Sequence, residues 1–151
     1  MSRRFSIDAN ILFYAMDQTD PVKHRRATDI VDRSADADCV MTLQVLGEFF
    51  HSSSRKRPRE RTVMAEQTRD WLELFPVVSS TPKLLPQALQ LAEQGQVSFW
   101  DAMLVATVAE AGCTTLLSED MADGVALGGV TVRNPFRGDR LPDEIEALLT
   151  V

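Results

Sequence analysis

The chain predicts an α/β fold in which a short, mostly parallel sheet is covered by helices on both faces. Three observations carry that expectation. Short apolar runs alternate with segments whose apolar residues recur every three or four positions, the order of parallel strands joined by helices. Acidic residues sit just beyond or shortly after these runs, or at the start of a helical pattern, where open α/β sheets gather functional groups. A length of 151 residues with a hydrophobic fraction of 44% suits one domain around a single core.

Phe5 to Asp8 reads as the first strand, followed by an apolar helical start at Ile11, Leu12, Phe13 and Tyr14. Asp20-Pro21 is a helix-start signal, because proline is favoured at the first helical position, and Val22 to Arg33 reads as an exposed amphipathic helix. Cys39-Val40-Met41 is a second strand. Thr42 can cap a helix carrying Val45, Leu46, Phe49 and Phe50 at spacings of three and four. Pro58 breaks that pattern, and a further helix runs to about Leu74, with Met64, Trp71, Leu72 and Phe75 as its anchors. Val77-Val78 gives a strand, and Pro82 opens a helix with Leu85, Leu89, Leu91 and Ala92 that Gly95 ends. A strongly apolar helix from Ser98 to Ala111 stops at Gly112. Strands follow at Thr114 to Leu117 and Val130 to Val132. Leu141, Ile145, Leu148 and Leu149 form a short amphipathic helix or a loosely held tail.

The net charge of −6, from 16 basic and 22 acidic residues, is the wrong sign for holding nucleic acid by surface charge alone. The balance is uneven: Arg55, Lys56, Arg57, Arg59 and Arg61 crowd one turn, either as a solvated helix junction or as a phosphate-contacting rim. Cys39 and Cys113 lie in or beside apolar runs and read as buried, reduced core residues. No apolar stretch approaches the ~20 residues of a membrane span, and no signal-peptide pattern opens the sequence. A cytoplasmic location, with no membrane partner, is the expectation.

Asp8, Glu48, Asp101 and Asp120 are the candidate functional residues. Each has a bland reading. Asp8 would serve in an Asx turn or cap, a task Asn10 could also perform; Glu48 would face solvent on an amphipathic helix. Ser98-Phe99-Trp100-Asp101 fits a capping box, and Asp120 could cap a turn after Ser118-Glu119. Brought together, however, the four would repel: two full charges ~5 Å apart at an effective dielectric of ~20 cost roughly 3 kcal/mol. Such a cluster makes physical sense mainly around a divalent cation.

Hard oxygen ligands suit magnesium or manganese. His24 and His51 are the only histidines, and no cysteine pair has metal-ligand spacing, which argues against zinc. No Walker-type phosphate loop or Gly-x-Ser-x-Gly elbow is present. Carboxylate-held Mg²⁺ or Mn²⁺ without a nucleotide loop suggests phosphodiester hydrolysis.

These segments resemble the PIN-domain nucleases, in particular the VapC-type toxin ribonucleases of bacterial toxin–antitoxin pairs. The matching pieces are Ile7-Asp8-Ala9-Asn10-Ile11-Leu12, Leu46-Gly47-Glu48-Phe49, Ser98-Phe99-Trp100-Asp101-Ala102 with its alanine-rich helix, Leu117-Ser118-Glu119-Asp120-Met121, and the closing Val132-Arg133-Asn134-Pro135-Phe136. The resemblance implies a three-layer α/β/α sandwich over residues 1–136, leaving 137–151 as a C-terminal tail. It also implies that Asp8, Glu48, Asp101 and Asp120 hold Mg²⁺ or Mn²⁺ and form the catalytic site, supported by Asn10 and Ser118. RNA would be the substrate, with Arg55, Lys56, Arg57 and Arg59 positioning its phosphates. A cognate antitoxin and a second copy of the chain would be partners. Alternatives within the resemblance are a housekeeping RNA-processing enzyme and a binding module without catalysis. A phosphoacceptor signalling domain is disfavoured because Ala9, not a second acid, follows Asp8. A haloacid-dehalogenase-type phosphatase is disfavoured because Asn10 stands where its second aspartate would.

Overall fold

A computed structural model of the chain describes residues 3–151. At the centre, β1 (Phe5–Ile7), β4 (Thr115–Leu117) and β6 (Val130–Arg133) run parallel, and β5 (Ala126–Leu127) adds antiparallel to β6. On the other side β2 (Met41–Thr42) pairs parallel with β3 (Val77–Val78). The Val40 amide donates to the Phe5 carbonyl at 3.1 Å, joining the segment before β2 to β1. The spatial order is therefore β3-β2-β1-β4-β6-β5. Phe5, Ser6 and Ile7 are all buried, as strands covered on both faces must be.

Helices form both outer layers of an α/β/α sandwich. α1 (Ala9–Met16), α2 (Pro21–Ser34), α3 (Leu43–Lys56) and α4 (Arg61–Leu74) pack in series, while α5 (Leu85–Glu93) packs on α6 (Phe99–Glu110). Local chemistry sets their starts. Asp20 accepts from the Lys23 amide at 3.2 Å with Pro21 in the first position, and Thr42 accepts from the Val45 amide at 3.1 Å. α6 buries residues all round, including Leu104, Val105, Ala106 and Val108, as its unbroken apolar sequence requires. Cys39 and Cys113 are buried free thiols, and burial pushes the Cys113 thiol up to about 12. Among the described residues no helix is long and apolar enough to cross a membrane.

Several expected details change. Leu72 is half exposed instead of anchoring α4, because Met64, Thr68, Trp71 and Phe75 set the inward stripe, with Trp71 edge-on to Phe49 at 4.8 Å between ring centres. Leu85 and Leu89 likewise face out, while Leu84, Ala88 and Leu91 point inward. Pro82 opens a 3-10 turn over Pro82–Leu84 before α5 begins. β5 was not expected, although Gly128-Gly129 between apolar residues is a hairpin signal; both glycines take positive φ, 56° and 85°, as a tight two-residue turn demands.

The C-terminal segment is a helix, α7 (Asp143–Leu149), packed on α2, with Ile145 and Leu149 buried in the same core as the sheet. Ile145→Ala should therefore cost about 2–5 kcal/mol, the price of emptying a filled core position, read as a lower denaturant midpoint. A midpoint within error of the parent would mean that the tail is loosely held.

Candidate active site

The carboxyl ends of the strands deliver the four acids to one place. Asp8 follows β1 directly, Glu48 lies in the second turn of α3, Asp101 in the first turn of α6, and Asp120 in the loop after β4. All four line a single groove of about 710 Å³, together with Asn10, Tyr14 and Lys56. Sequence distance is thus erased by the parallel topology, which brings every strand's end to the same edge.

Asp8 forms the floor. The residue is only 4% exposed, and among the described residues no cation pairs with it. One carboxylate oxygen accepts from the Ala9 amide at 2.7 Å, and the other from the Ser118 hydroxyl at 2.7 Å. Asp8 thus caps α1 itself; Asn10 does not take that task. Burial pushes its pKa up to about 6, against the pull of these two hydrogen bonds, and the negative charges of Asp101 and Asp120 push the same way.

Asn10 and Ser118 stitch Asp8 to Asp120. The Asn10 amide donates to the Ser118 hydroxyl at 3.2 Å and to the Asp120 carboxylate at 3.1 Å, and the Asp120 amide donates to Ser118 at 3.1 Å. Asp101 is half-buried. Only one half of its capping box forms, the Asp101 amide donating to the Ser98 hydroxyl at 3.2 Å, so its carboxylate lines the groove. Burial again raises its pKa, Ser98 opposes this, and the Asp120 charge adds to it. Glu48 is half-buried and accepts from the Gln44 amide group at 2.9 Å.

Among the described residues, no three histidine, cysteine or carboxylate side chains are placed so as to hold an ion together. The donor chemistry nevertheless fits a hard divalent cation: all four groups offer oxygen, and the deepest is buried without a counter-charge. Asp120 is exposed, and Glu48 and Asp101 are half-buried, so these three have room to turn.

The basic run divides. Arg57 is committed to the buried Asp17, at 2.6 Å, tying the end of α3 to the end of α1. Lys56 lies 3.4 Å from Asp17, sits over the Phe13 ring at 4.9 Å and lines the groove. Arg55 approaches His51 at 3.4 Å, and Arg59 is exposed on the 3-10 turn that follows α3. His51 is exposed but lines the groove, one turn beyond Glu48, and the spacings of Glu48, His51 and Ser52 on one helix were the signal for that face. His24 is half-buried, its Nδ1 2.9 Å from the Tyr14 carbonyl.

A fifth groove carboxylate, Glu119, has no counterpart in the sequence reading. It accepts from the Tyr14 hydroxyl at 2.5 Å and from the Lys23 ammonium at 2.8 Å. Unlike Asp8, it is neutralised by a partner, which separates it from the four acids. Nothing local marks it: Tyr14, Lys23 and Glu119 come from three separate segments and meet only in the fold.

The Asp8 shift has a stability consequence. A carboxyl that titrates near 3.8 when unfolded and about 6 when folded binds its proton more tightly in the folded state. Asp8's own contribution to the stability of the metal-free chain should therefore fall as pH rises across that window, by on the order of 3 kcal/mol, and stay low above it. Asp17, Asp123 and Glu146, whose carboxyls are held below their usual range, contribute in the opposite direction. Asp8→Asn should remove Asp8's contribution and stabilise the metal-free chain at pH 7 by on the order of 1 kcal/mol, part of the gain being offset by the lost acceptor oxygen. Thermal melts in chelator across pH 4 to 8 check this; an Asn variant that melts lower, with the pH slope intact, would contradict it.

A profile of the PIN domain matches residues 6–122, a span that includes all four groove acids. The fold is similar to that of VapC20 from Mycobacterium tuberculosis, described as a sarcin–ricin loop cleaving toxin, with 20% identity, a TM-score of 0.62, and 80% of this chain and 90% of that chain covered. A toxin–antitoxin complex from Klebsiella pneumoniae is similar at 17% identity and a TM-score of 0.62, covering 83% of this chain and 94% of that one. PAE2754 from Pyrobaculum aerophilum covers 97% of this chain and 92% of its own at 15% identity and a TM-score of 0.57. No curated protein matches the chain. The likeness to the solved structures is one of fold; the profile, matching most of the sequence, goes further, and the chain belongs to the PIN domain family.

Proposed function

We propose that this chain is a metal-dependent endoribonuclease that hydrolyses RNA phosphodiester bonds, and that it is the toxin of a toxin–antitoxin pair. The observation that carries this reading is the groove in which Asp8, Glu48, Asp101 and Asp120 converge, with Asp8 buried and unpaired at its floor. On this reading these four hold Mg²⁺ or Mn²⁺, which when bound acidifies a water and stabilises charge on the phosphate. Ser118 and Asn10 fix the orientation of Asp8 and Asp120 through the hydrogen bonds between them. Lys56 offers a cation in the groove wall, and the exposed Arg55 and Arg59 extend this charge beyond it, where on this reading they position phosphates without reading sequence. Arg57 contributes less directly, by holding the rim against Asp17.

RNA as substrate and an antitoxin as partner are supported by the family and by the described activity and assemblies of its structural neighbours. The reading places the chain in the cytoplasm, as a homodimer. Residues 1–136 form the chain's nuclease domain, with α7 packed into the same core.

Purified chain should cut RNA with Mg²⁺ or Mn²⁺ and stop when a chelator is added. Asp8→Asn and Asp101→Asn should lose cleavage while keeping the circular dichroism spectrum of the parent, and Asn10→Ala should lower the rate about 10–100-fold. Two acid variants that cut at the parental rate would overturn the site. Growth arrest on expression, dependent on Asp8, separates a toxin from a housekeeping enzyme.

Reversing the charge of Arg55 and Arg59 together should weaken binding to single-stranded RNA and flatten its dependence on log salt by roughly 0.7 per lost phosphate contact. An unchanged slope would exclude these two from the RNA path.

A further inference from the structure

Gly47 occupies the interior of α3, where glycine is less stable than alanine, yet nothing in the packing requires it. A Cβ built there meets no atom within 4 Å, and its φ is not positive. Its position suggests another reason. Gly47 and Glu48 line both the carboxylate groove and a second hollow, of about 310 Å³, on the side away from Asn10 and Tyr14. With no side chain at Gly47, the helix surface shared by the two hollows carries no Cβ at this position.

Trp100 forms a wall of that second hollow and is 63% exposed, a large apolar surface to leave in water. It is not loose. Phe99 meets it edge-on at 5.0 Å between ring centres, and its carbonyl accepts from Gln44 at 3.0 Å, the same amide group that donates to Glu48. Trp100 immediately precedes Asp101 in the chain. Leu43 and Met103 add apolar surface to the hollow, and Ser79 and Ser80 supply hydroxyls that both donate and accept. None of the residues lining it is cationic, so it suits an uncharged ring better than a phosphate.

We propose that the hollow beside Trp100 is a nucleobase subsite, in which the base neighbouring the scissile phosphate stacks on Trp100 while the strand crosses the helix at Gly47. The proposal rests on the ribonuclease reading and specifies its substrate as a single strand with an unstacked base. Base–aromatic stacking is tolerant of sequence, so this subsite contributes affinity more than discrimination.

Trp71, the second tryptophan, is buried, so quenching by a dissolved oligonucleotide reports on Trp100. A mixed-sequence single-stranded oligoribonucleotide should quench the fluorescence of the Asp8→Asn chain in Mg²⁺. In the otherwise parental chain, Trp100→Ala should raise KM roughly ten- to a hundredfold, the loss of one stacked base, with kcat little changed, and Trp100→Phe should recover most of it. Gly47→Ala should also raise KM several-fold, yet melt roughly 2–4 °C higher because the helix gains stability. If the parent cuts RNA but neither variant changes KM and no quenching occurs, the subsite is wrong and the ribonuclease reading stands. If the parent neither binds nor cuts RNA, both fall. If both variants abolish retention of a co-expressed protein partner while KM is unchanged, the hollow is a protein-docking site and the proposal is overturned.

Discussion

The burial of an unpaired carboxylate at Asp8 is the constraint around which the site is arranged. A charge there loses most of its water, and the hydrogen bonds from Ala9 and Ser118 offset only part of that loss, so the acid titrates about 6 instead of near 3.8. The fold accepts this penalty where β1 ends and α1 begins, a position it cannot vary without moving the core strand. Asp101 and Asp120 make the penalty larger. A neutral cap at this position would avoid that penalty; on the proposed reading, a bound cation is what offsets it.

Two other acids that are buried or half-buried, Asp17 and Glu119, give the contrast, because both are paired with cations. Asp17 is as buried as Asp8 but is met by Arg57, Lys56 and Thr19, so its charge is spent on holding α1 to α3. Glu119 lies in the same groove as Asp8 but is met by Lys23 and Tyr14, with Lys23 also 4.8 Å over the Tyr14 ring. Cations are thus available on both flanks of the groove, and the fold directs them to Asp17 and Glu119, leaving the central acids uncompensated.

Much of this was legible in the sequence, for identifiable reasons. Strands covered on both faces leave short continuous apolar runs, and Asp20-Pro21, Thr42 and Ser98 announce helices through cap chemistry that acts within four residues. The four acids could be gathered because parallel strands deliver their carboxyl ends to one edge. What stayed hidden depends on contacts between distant segments. Leu72 and Leu89 carry the right residue type on the wrong side of their helices, since the exact rotation is set by Trp71 against Phe49 and by Ala88 and Leu91 against α6. The Asp17–Arg57 pair and the Tyr14–Lys23–Glu119 cluster have no local pattern, and Gly47 shows its meaning only when the space around it is seen to be empty. The Gly-Gly turn before β6 is a readable signal, but the two residues of strand before it are too few to carry an alternating pattern.

The central claim is that these four carboxylates are one divalent-cation site. Calorimetric titration of the folded chain with Mn²⁺ tests it most directly, because it requires neither a substrate nor a partner. The parent should bind with measurable heat, and Asp8→Asn, folded and at least as stable in chelator, should bind at least about ten times more weakly. Equal affinity in the two chains, or no binding by the parent, would contradict the account.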